Sequence, residues 1–356
     1  LGIKREPFTD GSRFCFGTIR PMPTPVGFCS SPRFVEHDTG PRHPERPDRI
    51  RAVHKAVRDA GLVTSPSPFP DFDLDLGLKP LGLPPLVEIE PVPVTEAQLL
   101  AVHTPGHVAR VRHACSLGGV LDQGDTPTEP RSFDTAVLSA GAAVTACDAV
   151  MTGRVRRAFA AARPPGHHAE PDRAMGFCLF SNVAVAARHL QDGHGVGKVA
   201  IVDFDVHHGN GTQAAFYDDP SVLFVSLHQH PRTCYPGTGH AHETGTGDGA
   251  GYTLNLPVQP GAGDDEYLTA IDGPVTEALT HFRPEALLIS AGFDAHHDDP
   301  LASVNLSDDG FHRITARLVT LADNLCGGRV ISVLEGGYNL RALGRGVVRH
   351  LVALQA

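Results

Sequence analysis

Five short runs of apolar, often β-branched residues recur at 155–162, 198–204, 221–227, 286–291 and 329–334, with room for a helix between most of them. Runs of that length without polar alternation suit strands buried on both faces. Helices are predicted near 181–191, 264–282 and 307–326, the last with Ser307 as its cap and Gly327 just past its end. Alternation of this kind predicts an α/β fold: a mostly parallel central sheet covered by helices on both faces, three layers deep. Upstream, a strand is expected over Val26 to Ser30 and a helix from Asp48 to Ala60, ended by Gly61. Residues 64–94 hold many prolines and read as a long surface excursion. Thr95-x-x-Gln98 is a capping-box signal, and a further helix is expected from Phe133 to Met151. With no repeat or low-complexity tract, one domain over 26–356 is the simplest division, preceded by an extension over 1–25.

Four of the runs lead straight into dense polar motifs: Arg163-Pro-Pro-Gly-His167-His168, Asp203-Phe-Asp205-Val-His207-His208-Gly-Asn210, Ser290-Ala-Gly-Phe-Asp294 and Leu334-Glu-Gly-Gly-Tyr338. Ligands of open parallel sheets bind beyond the carboxyl ends of the strands, so these motifs are expected to converge on one edge.

Their chemistry is that of a metal-assisted hydrolase. Asp205 and His207 stand two apart at a strand end and can face the same cation; Asp294 completes a set of two carboxylates and one imidazole. Three protein ligands with open positions is the layout of catalytic zinc, although iron(II) accepts the same donors. Asp after a strand is commonly a turn former, but such loops rarely also carry a histidine pair. His167 and His168 could supply the base and acid that amide hydrolysis needs, with Asp203 orienting His167. Alone, a His-His in a proline loop would be read as solvent-facing; beside three other such motifs it is read as catalytic. The paired glycines before Tyr338 would let its hydroxyl reach an oxyanion. The glycine-rich stretch 236–251 lacks Gly-Lys-Ser/Thr, and no Gly-x-Ser-x-Gly elbow is present, so neither a nucleotide site nor a serine hydrolase is indicated.

Composition agrees with an enzyme. The chain is 41% hydrophobic and 20% charged, with a net charge of −10 that disfavours a nucleic-acid partner and favours cationic ones. Seven scattered cysteines without a Cys-x-x-Cys pair read as free thiols of a reducing compartment. No apolar run approaches the roughly 18–20 residues of a membrane span, and no signal peptide is evident; a soluble cytoplasmic protein is expected, with self-association into a homo-oligomer left open.

Together the motifs resemble the histone deacetylase and acetylpolyamine amidohydrolase superfamily, over roughly residues 26–350. The resemblance implies an arginase-like fold, Asp205, His207 and Asp294 as ligands of one Zn2+, and His167 and His168 as the acid–base pair with Asp203 behind His167. It implies Tyr338 as the carbonyl-polarising hydroxyl. It further implies a substrate tunnel from Gly176, Phe177 and Tyr235, with Leu301 at its mouth, a rim aspartate at Asp125, and Arg49 in an inner channel. Structural K+ or Na+ is implied near Asp203, Asp205, His207, Ser226 and Leu227, and at a second place formed by Phe216, Asp219, Val222 and Tyr252. His-His-Gly-Asn210-Gly-Thr-Gln and Leu-Glu-Gly-Gly-Tyr-Asn are similar to the second class of deacetylases. Asn210 and the Asp294-Ala-His296 segment lack the acids that a binuclear manganese relative needs, so one metal is expected and a ureohydrolase is disfavoured.

The expected substrate is an acetyl-lysine peptide or protein. Acetylpolyamine is the alternative, disfavoured because Leu301 stands where the polyamine-selective branch has a glutamate. An inactive relative that only binds acyl-lysine is the reading of a different class.

Overall fold

The computed structural model describes residues 25–356, so the expected extension over 1–25 lies, but for Pro25, outside the described residues, as does Cys15. Its centre is an eight-stranded, all-parallel sheet made by β1 (Val26–Cys29), β2 (Val87–Ile89), β5 (Arg157–Ala160), β6 (Val199–Asp203), β7 (Val222–Gln229), β8 (Thr253–Val258), β9 (Ala286–Ala291) and β10 (Val330–Leu334). The two-residue strands β3 (Val120–Leu121) and β4 (Thr126–Pro127) form a separate antiparallel hairpin. The spatial order of the large sheet is β2-β1-β5-β10-β9-β6-β7-β8. The four motif-bearing strands β5, β10, β9 and β6 are therefore contiguous at its centre. Every residue of those four is buried, which explains their unbroken apolar runs.

Helices cover both faces. One layer contains α1 (Asp48–Asp59), α9 (Asp308–Cys326) and α10 (Leu340–Leu354); α7 (Asp264–Ala270) and α8 (Thr276–Phe282) pack against α9. The other contains α4 (Ser132–Met151) and α5 (Asn182–His194), flanked by α2 (Glu96–Leu100), α3 (Pro105–Leu117) and α6 (Asn210–Phe216). The cap signals are used as read: Thr95 and Gln98 close a reciprocal capping box, and Ser307 Oγ accepts the Gly310 N–H at 3.0 Å.

Three expectations need correction. The helix expected over 264–282 is interrupted by a π-turn at Ile271–Val275, because Pro274 has no N–H to continue the ladder. The 64–94 excursion contributes β2, whose three residues pair with β1. Helix α4 is apolar over a membrane-span length, but 78% of its apolar window is buried, as in a core helix. The six described cysteines are free.

Candidate active site

The carboxyl ends of the four central strands bring their motifs to one place. Asp205 and His207 follow β6, and Asp294 follows β9. His207 Nδ1 lies 3.1 Å from Asp205 Oδ1 and 3.1 Å from Asp294 Oδ2. All three residues are buried, and their ligand atoms lie within 4.8 Å of one another. Backbone amides fix the carboxylates: Asp294 Oδ1 accepts the Val206 N–H at 3.0 Å, Asp205 Oδ1 the His207 N–H at 2.9 Å, and Asp205 Oδ2 the Gly336 N–H at 2.7 Å. Position 336 must be glycine, since a Cβ there would overlap Asp294 Oδ2.

An imidazole nitrogen carries one proton at most, so it cannot satisfy two buried carboxylates alone. A dication shared by the three groups would, and two anionic oxygens with one nitrogen suit zinc or iron(II). Burial and the neighbouring Asp205 charge raise the Asp294 carboxyl, as expected of two acids held together.

Beside this set stand the two histidines that follow β5, their ring centroids 4.1 Å apart. His167 Nδ1 donates to Asp203 Oδ2 at 2.9 Å, and His168 Nδ1 donates to Asn210 Oδ1 at 2.7 Å. The Asn210 amide is oriented by its own N–H, given to Glu170 at 2.8 Å. In both rings Nε2 is left for chemistry. Burial opposes a charge on His167, but the Asp205 and Asp203 carboxylates outweigh it and push its pKa up to about 10. His168 is driven well below the usual range, first by burial and then by the charges of His167 and His207. The Asp205 charge and the hydrogen bond to Asn210 pull it back up, but less strongly.

A cavity of about 210 Å3 leads from the surface to His168 and His207, lined also by Asp125, Gly176, Phe177, Tyr235, Leu301 and Tyr338. Phe177 meets the Tyr338 ring edge-on with centroids 5.8 Å apart, and Tyr235 meets His168 likewise at 5.1 Å. Gly176 has φ +55°, and a Cβ there would collide with the His168 ring. The Tyr338 hydroxyl is held protonated by burial first and by the Asp294 charge second.

Arg49 does not line this cavity. It is fully buried beneath the Glu335-Gly336-Gly337 turn, donating to the carbonyls of Glu335 and Gly337 and pairing with Glu45 at 3.1 Å. Its guanidinium lies 5.1 Å from the Tyr338 ring centroid. The residues expected around a monovalent cation near the site are neighbours: Asp203 pairs in register with Ser226, which precedes Leu227. Ser226 Oγ is hydrogen-bonded to His228 Nδ1 at 2.9 Å. The second set gathers where α6 gives way to β7. There the Phe216 carbonyl accepts the Asp219 N–H at 3.1 Å, the Tyr252 carbonyl accepts the Phe224 N–H at 2.9 Å, Val222 opens the strand, and Asp219 pairs with Arg188 at 2.6 Å.

Three acids at the site carry no role in the sequence reading. Glu335 Oε2 accepts the N–H of Gly166 at 2.7 Å and of His167 at 3.1 Å, fixing the histidine loop. Burial raises its pKa to about 7. Asp299, whose signal was the Asp299-Pro300 pair, receives the Tyr338 N–H. Glu45 chelates Arg163 through both oxygens at 2.7 Å. Away from the site, Asp148 Oδ1 lies 2.7 Å from Nε2 of both His189 and His194. Gln98 donates to His189 Nδ1, so Nε2 there is a donor to Asp148, and hydrogen bonds account for this cluster.

Comparison with known proteins matches the family described as the histone deacetylase domain to residues 43–354. A probable deacetylase of Archaeoglobus fulgidus is 38% identical, over 88% of this chain and 82% of that protein. The chloroplastic histone deacetylase 10 of Oryza sativa subsp. japonica is 39% identical, over 90% and 71%. The histone deacetylase-like amidohydrolase of Pseudomonas aeruginosa is 44% identical, over 69% and 65%. Among solved structures the HDA15 HD domain superimposes with a TM-score of 0.83 at 37% identity, covering 93% of this chain and 89% of that one.

Proposed function

This chain belongs to the histone deacetylase family, and from that premise we propose that it hydrolyses the acetyl amide of N-acetyl-lysine side chains in peptides or proteins, with one bound zinc. The observation that carries this reading is the cavity, with two histidines at its base and aromatic rings along its walls. A narrow apolar channel suits the methylene chain of a lysine whose charge has been removed by acylation.

Asp205, His207 and Asp294 would hold the zinc, which supplies Lewis acidity toward a water and the amide carbonyl. His168, kept neutral by burial and its charged neighbours, takes the water's proton as it attacks the carbonyl carbon, while His167, held protonated beside Asp203 and Asp205, steadies the negative charge that develops. The Tyr338 hydroxyl donates to the oxyanion of the tetrahedral intermediate. His168 then passes that proton to the amine nitrogen as the C–N bond breaks, releasing lysine and acetate.

Acetylpolyamine remains the second reading, and Leu301 at the cavity mouth, 39% exposed, weighs against it. A carboxylate there would attract a polycation, whereas leucine offers it nothing. The test compares an acetyl-lysine peptide with N8-acetylspermidine in chelated and zinc-restored protein. Zinc-dependent turnover favouring the peptide is expected. Preference for the polyamine would overturn the substrate, and hydrolysis of neither, longer acyl-lysines included, would overturn the enzyme reading in favour of a binding module.

A further inference from the structure

The two walls of the cavity come from distant parts of the chain. Gly176 and Phe177 belong to the loop after β5, and Tyr235 to the loop after β7. Gly176 and Phe177 both take left-handed backbone, with φ of +55° and +68°. Two successive residues in that conformation make no regular ladder, so their N–H groups need acceptors from elsewhere. The β3–β4 hairpin supplies both. Asp122 Oδ2 accepts the Gly176 N–H at 3.1 Å, and Thr126 Oγ1 accepts the Phe177 N–H at 3.1 Å.

The same Asp122 Oδ2 also accepts the hydroxyl of Tyr235 at 3.2 Å. One carboxylate oxygen thus ties the Gly176 wall to the Tyr235 wall. The other oxygen accepts Arg173 Nη2 at 3.1 Å, and the side chain is only 7% exposed. Asp122 itself adopts φ +50°, a strained conformation for a non-glycine residue, at the head of the 3-10 turn Asp122–Gly124. It does not line the tunnel but faces a neighbouring cleft of about 390 Å3.

We propose that Asp122 is a positioning residue that sets the width of the acyl-lysine tunnel by clasping Tyr235 to Gly176. The kinetic part of this inference rests on the deacetylase reading above; the clasp itself does not. Because Asp122 touches neither the histidine pair nor the ligand set, loosening it weakens substrate binding and leaves the chemical step alone. The phenol is essential to the device, since phenylalanine at 235 would fill the wall without a handle for the carboxylate.

The test uses the zinc-loaded full chain and an acetyl-lysine peptide. Asp122→Gly deletes the carboxylate while easing the left-handed backbone, so strain does not confuse the result. Expected is a KM about five- to tenfold higher, the loss of one to two hydrogen bonds to a charged group, with kcat within about twofold of wild type. Tyr235→Phe is expected to raise KM less, because the Gly176 bond survives. The double variant should be no worse than Asp122→Gly alone, since the phenol has then already lost its partner. Asp122→Asn should restore most of the affinity: asparagine tolerates this backbone, and its carbonyl can take both donors while Arg173 swings outward.

Multiplying effects of the two single changes, or a fall in kcat at unchanged KM, would overturn the clasp. Hydrogen exchange judges it independently of turnover. In Asp122→Gly, peptides spanning 174–178 and 233–237 should exchange faster while segments remote from the clasp exchange as in wild type, and unchanged exchange in both would overturn it. If the wild type cleaves no acyl-lysine yet those two segments loosen together, the deacetylase reading fails and the clasp stands.

Discussion

Asp299 Oδ2 accepts the backbone N–H of Tyr338 at 2.7 Å, tying the residue before Pro300-Leu301 to the turn that carries the tunnel's phenol. The same carboxylate takes the N–H groups of Asn339 at 3.1 Å and Leu301 at 3.1 Å. Burial, and then the Asp294 charge, raise its pKa to about 7. Asp299→Ala would strand those donors, costing about 1–3 kcal/mol of stability and releasing the Tyr338 turn. A kcat at least tenfold lower on an acetyl-lysine peptide is expected, with a lower melting temperature. Full activity in Asp299→Ala would show that the Gly336-Gly337 turn holds itself.

Tyr338→Phe isolates the hydroxyl. The ring would still meet Phe177 and lie over Arg49, so the wall keeps its shape. Loss of an oxyanion donor typically costs about 3 kcal/mol, a hundredfold or more in kcat. Steady-state kinetics should show that loss at nearly unchanged KM. A rise in KM with kcat preserved would assign Tyr338 to the wall alone.

The parts of this site legible in the sequence are those in which a buried strand and its functional cluster are contiguous. His167, Asp205, Asp294 and Tyr338 are legible because each follows an apolar run within a few residues. What is not legible joins remote segments or has weak local patterning. Asp122 reaches Tyr235 across 113 positions, and Glu45 reaches Arg163 across 118. No local periodicity encodes such contacts. Strand β8 leaves no clear signal because it is half-exposed at the sheet edge and contains Asn255 and Pro257. Helix α10 carries Gly344 and Gly346, which weaken a helical pattern. Their purpose is close packing: a Cβ at 346 would fall 2.7 Å from the Phe293 ring.

Metal removal should affect stability as well as turnover. Without a dication, Asp205 and Asp294 repel each other in a buried site. A ligand that binds only the folded chain stabilises it by about 2.7 kcal/mol at a hundred times its Kd. Chelated protein is therefore expected to melt several degrees lower and to recover with one equivalent of zinc. Asp294→Asn should blunt that recovery, and metal analysis should return one zinc per chain. A melting temperature indifferent to chelation would mean that these residues hold no metal in the native protein.

Acid should destabilise the protein well before its solvent-exposed carboxylates protonate. His37, His103 and His350 are buried, and burial is the largest cause lowering each of them to about 3. The folded pKa is thus below the unfolded value of about 6.5. From there down to the folded value the unfolded chain binds the extra proton, so stability is complete above pH 6.5 and falls as pH drops. Each such histidine contributes up to about 1.4 kcal/mol per pH unit. His350 is the cleanest to remove, lying on α10 between Thr315 Oγ1 at 2.7 Å and Ser332 Oγ at 2.8 Å. His350→Gln keeps a donor and an acceptor there but cannot take up a proton. Urea melts between pH 6.5 and 5, where the buried acids titrate alike in both proteins, should show a shallower loss of stability in the variant, by one proton's worth of slope. An identical slope would mean that His350 titrates alike in the folded and unfolded chain, and that its burial does not hold it neutral.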